Sequence, residues 1–193
     1  MNVDTDTLNA FLGQFVADLG ATTAAANVVI GHRLGLYRAL AEGPLTADEL
    51  ADSTGTHARP IREWLYGQAA GGYVTITDDG RFTLTPEQAF CLVDPDGAVY
   101  LPGAFQLALG ALRAEPRVTE SFRTGTGLGW HEHDEDVFLG CEAFFRPGYV
   151  ANVTTEWIPA LGDVEQRLRA GGRIADIHRA SQGRVDACLR HQH

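Results

Sequence analysis

Residues Leu45 to Leu92, LTADELADSTGTHARPIREWLYGQAAGGYVTITDDGRFTLTPEQAFCL, decide how the chain folds. Thr46 followed three residues later by Glu49 forms a capping box, and Leu45 and Leu50 occupy the two positions of a hydrophobic staple, so a helix starts here. It stops by Gly55. Thr56 is then positioned to cap a second helix whose apolar face is Ile61, Trp64 and Leu65, with Pro60 tolerated in the first turn. Two helices joined by a tight Ser-Thr-Gly turn predict a helix-turn-helix. Gly71-Gly72 ends the second helix; Tyr73 to Thr77 alternates as a strand, Asp78-Asp79-Gly80 turns, and Arg81 to Leu84 alternates back. Thr85 and Gln88 make another capping box with Pro86 at the first helical position, which starts a short helix through Leu92. The hairpin is a wing, and residues 21–93 are assigned to a winged-helix domain.

Towards the N-terminus, Leu8, Phe11, Leu12, Phe15, Val16 and Leu19 recur at three and four residues and form one apolar stripe on a helix from Asp6 to Leu19, which Gly20 is expected to end. A longer helix is predicted from Thr22 to Ala41, where Val28, Val29, Ile30, Leu34, Leu36, Tyr37 and Leu40 cover most of the girth. So much apolar surface cannot be buried within so small a domain, which predicts a homodimer with residues 1–20 as its dimerisation helix.

Towards the C-terminus, residues 94–170 read as a helical linker region, with helices near Tyr100–Leu112, Arg117–Arg123, Glu135–Phe145, Pro147–Leu161 and Val164–Ala170. The loop Thr124-Gly-Thr-Gly-Leu-Gly129 does not follow a strand, so it reads as a loop and not a phosphate cradle. With 15 basic against 25 acidic residues the net charge is −10 and the pI about 5.0, a surface that repels polyanions. Cys91, Cys141 and Cys188 form no paired motif, and no apolar run approaches a membrane span. A reduced, cytoplasmic protein is expected.

The order of these elements resembles the N-terminal part of class I S-adenosylmethionine-dependent methyltransferases that carry a winged helix ahead of a Rossmann-like domain. The stretches that carry the resemblance are GHRLGLYRALAEGPLTADELA, REWLYGQAAGGYV, WHEHDEDVFLGCEAFFRPGYVANVTTEWIPAL and GGRIADI. It extends over about residues 8–177, and bacterial relatives are labelled either methyltransferase or transcriptional regulator. It implies dimerisation through the N-terminal helices, a small-molecule methyl acceptor, and S-adenosylmethionine as cofactor of the intact family member. It also places Asp176 at the acidic end of the first Rossmann strand. In the family a glycine turn follows that acid; here His178, Arg179, Ala180, Ser181 and Gln182 stand there, and a Cβ excludes the backbone conformation and close approach such a turn needs. Residues 171–193 are therefore read as a remnant of the Rossmann-like domain with an aberrant tail, arising from truncation or a shifted reading frame, and the chain is expected to bind no cofactor.

Among side chains that could carry chemistry, the cluster His131-Glu132-His133-Asp134-Glu135-Asp136 has metal-ligand types. Residues two apart do not share a helix face, however, and acids ahead of the apolar run Val137 to Phe145 suit a helix N-terminus, so no metal is assigned. By the resemblance, Trp130 and His131 could face a substrate and His133 could serve as a base. For DNA the candidates are His57, Arg59, Arg62 and Arg81. Between Pro44 and Thr85, three arginines face six carboxylates, a net −3 that makes a poor reader of phosphates.

The sequence thus predicts a mostly α-helical chain: a winged helix-turn-helix with a small β-hairpin, a helical linker and the first strand of an incomplete Rossmann-like domain. Its expected function is that of a truncated, inactive methyltransferase retaining the dimerisation region. The alternatives are a winged-helix DNA-binding regulator and a small-molecule-binding or interaction module.

Overall fold

A computed structural model describes residues 3–172. The first helix, α1 (Thr5–Arg33), begins at Asp4, whose carboxylate accepts from the Thr7 amide at 2.8 Å. It does not end at Gly20. An interior glycine costs only about 1 kcal/mol, and the alanine-rich run around it propagates the helix through a site the periodicity had marked as a stop. The break falls instead at Gly35, whose φ of 70° reverses the chain so that α2 (Leu36–Ala41) turns Leu36, Tyr37 and Leu40 into the core.

The helix-turn-helix follows the sequence reading closely. In α3 (Ala47–Thr54) the Thr46–Glu49 capping box is formed in both directions, and Gly55 closes the helix at φ 63°. The start of α4 (Ala58–Ala70) is corrected by one residue: His57 and not Thr56 is the N-cap, because Thr56 Oγ1 is engaged with Thr54 Oγ1 at 2.9 Å. The wing is antiparallel as expected but shorter, with β1 (Thr75–Ile76) paired to β2 (Phe82–Thr83) and Phe82 bridging back to Leu45. The Thr85–Gln88 capping box opens α5 (Pro86–Leu92).

Val28, Leu36, Tyr37, Leu40, Leu50, Ile61, Trp64, Leu65, Val74, Phe82 and Leu92 form one continuous core between α1 and the winged helix. Trp64 locks it. Its Nε1 donates to the Asn27 carbonyl at 2.8 Å, and its ring lies so close to Gly31 that a Cβ there would stand 2.4 Å from Trp64 Cζ2. Beneath it the Tyr37 hydroxyl donates to Gln68 Oε1, satisfying two buried polar groups at once.

Beyond the winged helix come α6 (Pro102–Leu112), α7 (Glu115–Thr124) and α8 (Glu135–Asn152). The helices expected at Glu135–Phe145 and Pro147–Leu161 are joined at their boundary: α8 runs through Pro147, which is buried. A proline inside a helix costs about 3 kcal/mol, which the packing of α8 on α6 offsets. Further on, Val153–Trp157 forms a π-helical turn closed by the Ile158 amide on the Val153 carbonyl at 2.9 Å. A 3-10 turn at Pro159–Leu161 and the short α9 (Val164–Arg169) follow.

Helices α6 and α8 meet backbone to backbone through Gly103, Gly110 and Gly140. A Cβ on Gly140 would lie 2.3 Å from the Leu107 amide nitrogen, and one on Gly110 2.6 Å from that of Val137. The Rossmann strand read from the sequence and the aberrant tail lie outside the described residues, apart from Gly171 and Gly172.

Candidate functional site

The site is organised by the segment Gly129–Asp136, a 3-10 turn (Trp130–Glu132) leading into α8. His133 and Asp134 both have extended backbone, with ψ of 160° and 147°, so their side chains leave in opposite directions. Three of the segment's four acids, Glu132, Asp134 and Asp136, are held by arginines. Glu132 accepts from the Gly129 amide at 2.6 Å and pairs with Arg117, whose Nη1 also donates to the Glu132 carbonyl at 2.7 Å. Asp134 caps α8 through the Asp136 amide and takes Arg113 Nη1 at 2.7 Å.

Asp136 is the deepest of the three, 7% exposed, and collects donors from two other helices. Arg33 at the end of α1 reaches Oδ1 at 2.5 Å, Gln106 Nε2 of α6 reaches Oδ1 at 2.8 Å, and Arg113 reaches Oδ2 at 2.5 Å. Burial alone would raise its carboxyl, but the hydrogen bonds from Arg113, Gln106 and Arg33 outweigh that and hold it down at about 2. Hydrogen bonds from the Gly129 amide and Arg117 likewise hold Glu132 below the usual carboxylate range.

The structure brings Trp130 and His133 together. Their ring centroids are 5.6 Å apart, and Phe138 meets Trp130 edge-on at 5.2 Å. Trp130 is 42% exposed, whereas His133 Nδ1 is buried and has no hydrogen-bond partner. His131 is placed differently: its ring rests over Gly129, where a Cβ would come within 2.8 Å of Cε1. The described residues hold no group of three or more metal-ligand side chains suitably arranged for an ion. Of the acids that suggested one, Glu132, Asp134 and Asp136 are taken up by guanidinium groups. Sequence reasoning found Trp130, His131 and His133 but missed Arg33, Gln106, Arg113 and Arg117, whose partners are 15 to 103 residues away and leave no local pattern.

Of the residues of the DNA-binding reading, His57, Arg59 and Arg62 lie at the start of α4 and Arg81 on the wing, and the three arginines face the module's own carboxylates. Arg81 donates to both oxygens of Glu49 at 2.7 and 2.8 Å and to the Pro44 carbonyl at 3.2 Å, tying the wing to α3. Arg59 pairs with Glu63 at 3.3 Å and Arg62 with Asp48 at 3.9 Å. His57 is exposed at the start of α4 and makes no side-chain cap bond. The Gly-rich loop begins with Gly125 closing α7 at φ 72° and so follows a helix. Among the described residues the only strands belong to the wing, and no strand leads into a glycine turn that could cradle a nucleotide. Asp176, assigned to the donor-binding strand, lies outside the described residues. No helix among the described residues is long and apolar enough to cross a membrane.

Comparison with known proteins agrees with this architecture. Residues 22–93 match the family described as the Rv2258c-like winged HTH domain. Over 107 residues the chain is 36% identical to the mitomycin biosynthesis 6-O-methyltransferase of Streptomyces lavendulae, covering 55% of this chain and 30% of that protein. The structure of the mitomycin 7-O-methyltransferase MmcR is similar with a TM-score of 0.53 at 24% identity, over 86% of this chain and 43% of that one. The S-adenosylmethionine-dependent methyltransferase SibL in its apo form is similar with a TM-score of 0.53 at 24% identity, over 77% and 48%. The fold thus defines a winged helix-turn-helix domain of the Rv2258c-like type followed by a helical region. Over the matched stretch the chain is similar to an O-methyltransferase, and it spans less than half the length of these three proteins.

Proposed function

We propose that the chain forms the winged-helix, dimerising and acceptor-side part of a cytoplasmic S-adenosylmethionine-dependent O-methyltransferase. The observation that carries this reading is the internal pairing of Arg59, Arg62 and Arg81. A winged helix whose guanidinium groups face its own carboxylates is suited to packing and not to counting phosphates. Homodimerisation is supported by α1. Every residue from Thr5 to Thr23 of α1 is exposed, including Phe11 and Phe15, whereas helices in proteins draw most of their stability from packing of an apolar face.

The acceptor is a small molecule carrying a hydroxyl group, met on the Trp130–His133 face. There the indole offers a flat apolar surface, and the half-buried His133 imidazole beside it is the candidate base. The donor belongs to a Rossmann-like domain. The sequence His178-Arg179-Ala180-Ser181-Gln182 has no glycine of the kind a donor-cradling turn uses, so the 193-residue chain is expected to take up no donor by itself.

Three titrations test this. Calorimetry with S-adenosylmethionine should give no saturable heat, and anisotropy with genomic and random duplexes at low salt should give no salt-sensitive binding. Addition of 2-naphthol should shift the ring resonances of Trp130 and His133. Micromolar, salt-sensitive duplex binding that weakens in Arg59→Gln or Arg62→Gln would replace this reading with that of a DNA-binding regulator.

A further inference from the structure

Between Gly129 and Asp136, alternate residues have different surroundings. Glu132, Asp134 and Asp136 are each gripped by a guanidinium group, and Arg113 alone spans two of them, 2.7 Å from Asp134 and 2.5 Å from Asp136. His133 stands between the gripped positions on the opposite side of an extended backbone, against Trp130. Half-exposed ion pairs contribute little to stability, and the side chains of Arg33, Arg113 and Arg117 are each about half exposed. Concentrating all three on one turn serves geometry more than free energy.

We infer that Arg113, assisted by Arg33 and Arg117, is a positioning residue: by gripping Glu132, Asp134 and Asp136 these arginines fix the turn in the conformation that sets the His133 ring against Trp130. This rests on the reading of that aromatic face as the acceptor side. It adds that the face is set from α1 and α6 and not by α8 alone, since Arg33 belongs to α1 and Arg113 caps the end of α6. His133 itself makes no side-chain hydrogen bond through Nδ1 that could orient it, so its placement depends on the backbone the arginines hold.

The test uses the full chain and two variants, Arg113→Gln and Asp134→Asn, the second retaining a good N-cap for α8. The readout is the nuclear Overhauser contact between the Trp130 and His133 rings, with the Tyr37–Trp64 contact, 5.3 Å between centroids in the core, as the folding control. The expected result is that both variants keep the core contact, lose the Trp130–His133 contact and lose the 2-naphthol response. Retention of the Trp130–His133 contact in folded variants overturns the inference. Should Arg113→Gln also lose the core contact, Asp134→Asn decides alone. If 2-naphthol leaves the wild-type resonances unmoved, the acceptor-side reading fails, and the ring contact still decides the positioning role.

Discussion

Arg33 and Asp136 lie 103 residues apart in sequence and 2.5 Å apart in space. Through this contact the last turn of α1, whose preceding turns bury Val28 and Val29, is fastened to the first turn of α8. The winged helix and the helical region are therefore one packed body sharing α1, and the Trp130–His133 face is fixed relative to the exposed apolar stripe of α1.

Asp136→Asn should lower stability by about 1 to 3 kcal/mol at neutral pH, since a buried carboxylate with three donors loses its charge while Gln106 keeps a partner. The sign with pH follows from the depressed carboxyl, at about 2 against an ordinary 3.8. Its contribution is complete above the ordinary value and is lost as pH falls towards the folded one. The gap between wild type and variant in urea melts should close between about pH 4 and pH 2.

Gly140→Ala should destabilise by about 1 to 3 kcal/mol, because the new methyl would meet the backbone of α6 at Leu107, which cannot swing aside. Gly20→Ala should do the reverse and add up to about 1 kcal/mol, since nothing lies within 4 Å of a Cβ there. Thermal melts of the two variants should move in opposite directions.

Phe15→Asp should convert a dimer to a monomer. Phe15 sits in the middle of the exposed stripe of Leu8, Phe11, Leu12, Val16 and Leu19, where a carboxylate facing a second copy would be desolvated without a partner. Light scattering after size exclusion reads the mass, and a wild-type mass equal to one chain would remove the dimer from the proposed function.

His32 links α1 to the linker through a hydrogen bond with the Tyr100 hydroxyl at 2.5 Å. Burial, with Arg33 and Arg38 nearby, pushes the imidazole below its ordinary 6.5. The folded state therefore resists protonation, and stability falls as pH drops below about 6.5. His32→Gln should flatten stability between pH 6.5 and pH 5 in denaturant titrations at half-unit steps.

The parts of the fold that were legible are those written in neighbouring residues. Thr46–Glu49 and Thr85–Gln88 each span three positions, so their capping boxes could be read directly and both are formed. Gly20 and Pro147 misled for one reason: each has a local cost that neighbouring helix or packing outweighs, whereas Gly35, whose φ is positive, is where the chain has to bend. Within the candidate site, Trp130 and His133 were legible as residue types, but the contact between their rings was not.

The order of residues alone was enough for the winged helix, its wing and the apolar stripe of α1, because capping, turn chemistry and helical periodicity act over a few residues at a time. Folding in three dimensions settled what long-range contacts control: the grip of Arg33, Arg113 and Arg117 on alternate acids, the glycine-lined approach of α6 to α8, and the burial of His133 Nδ1. A charge or a missing Cβ carries no mark of its partner along the chain, and only packing of distant helices brings that partner within hydrogen-bond range.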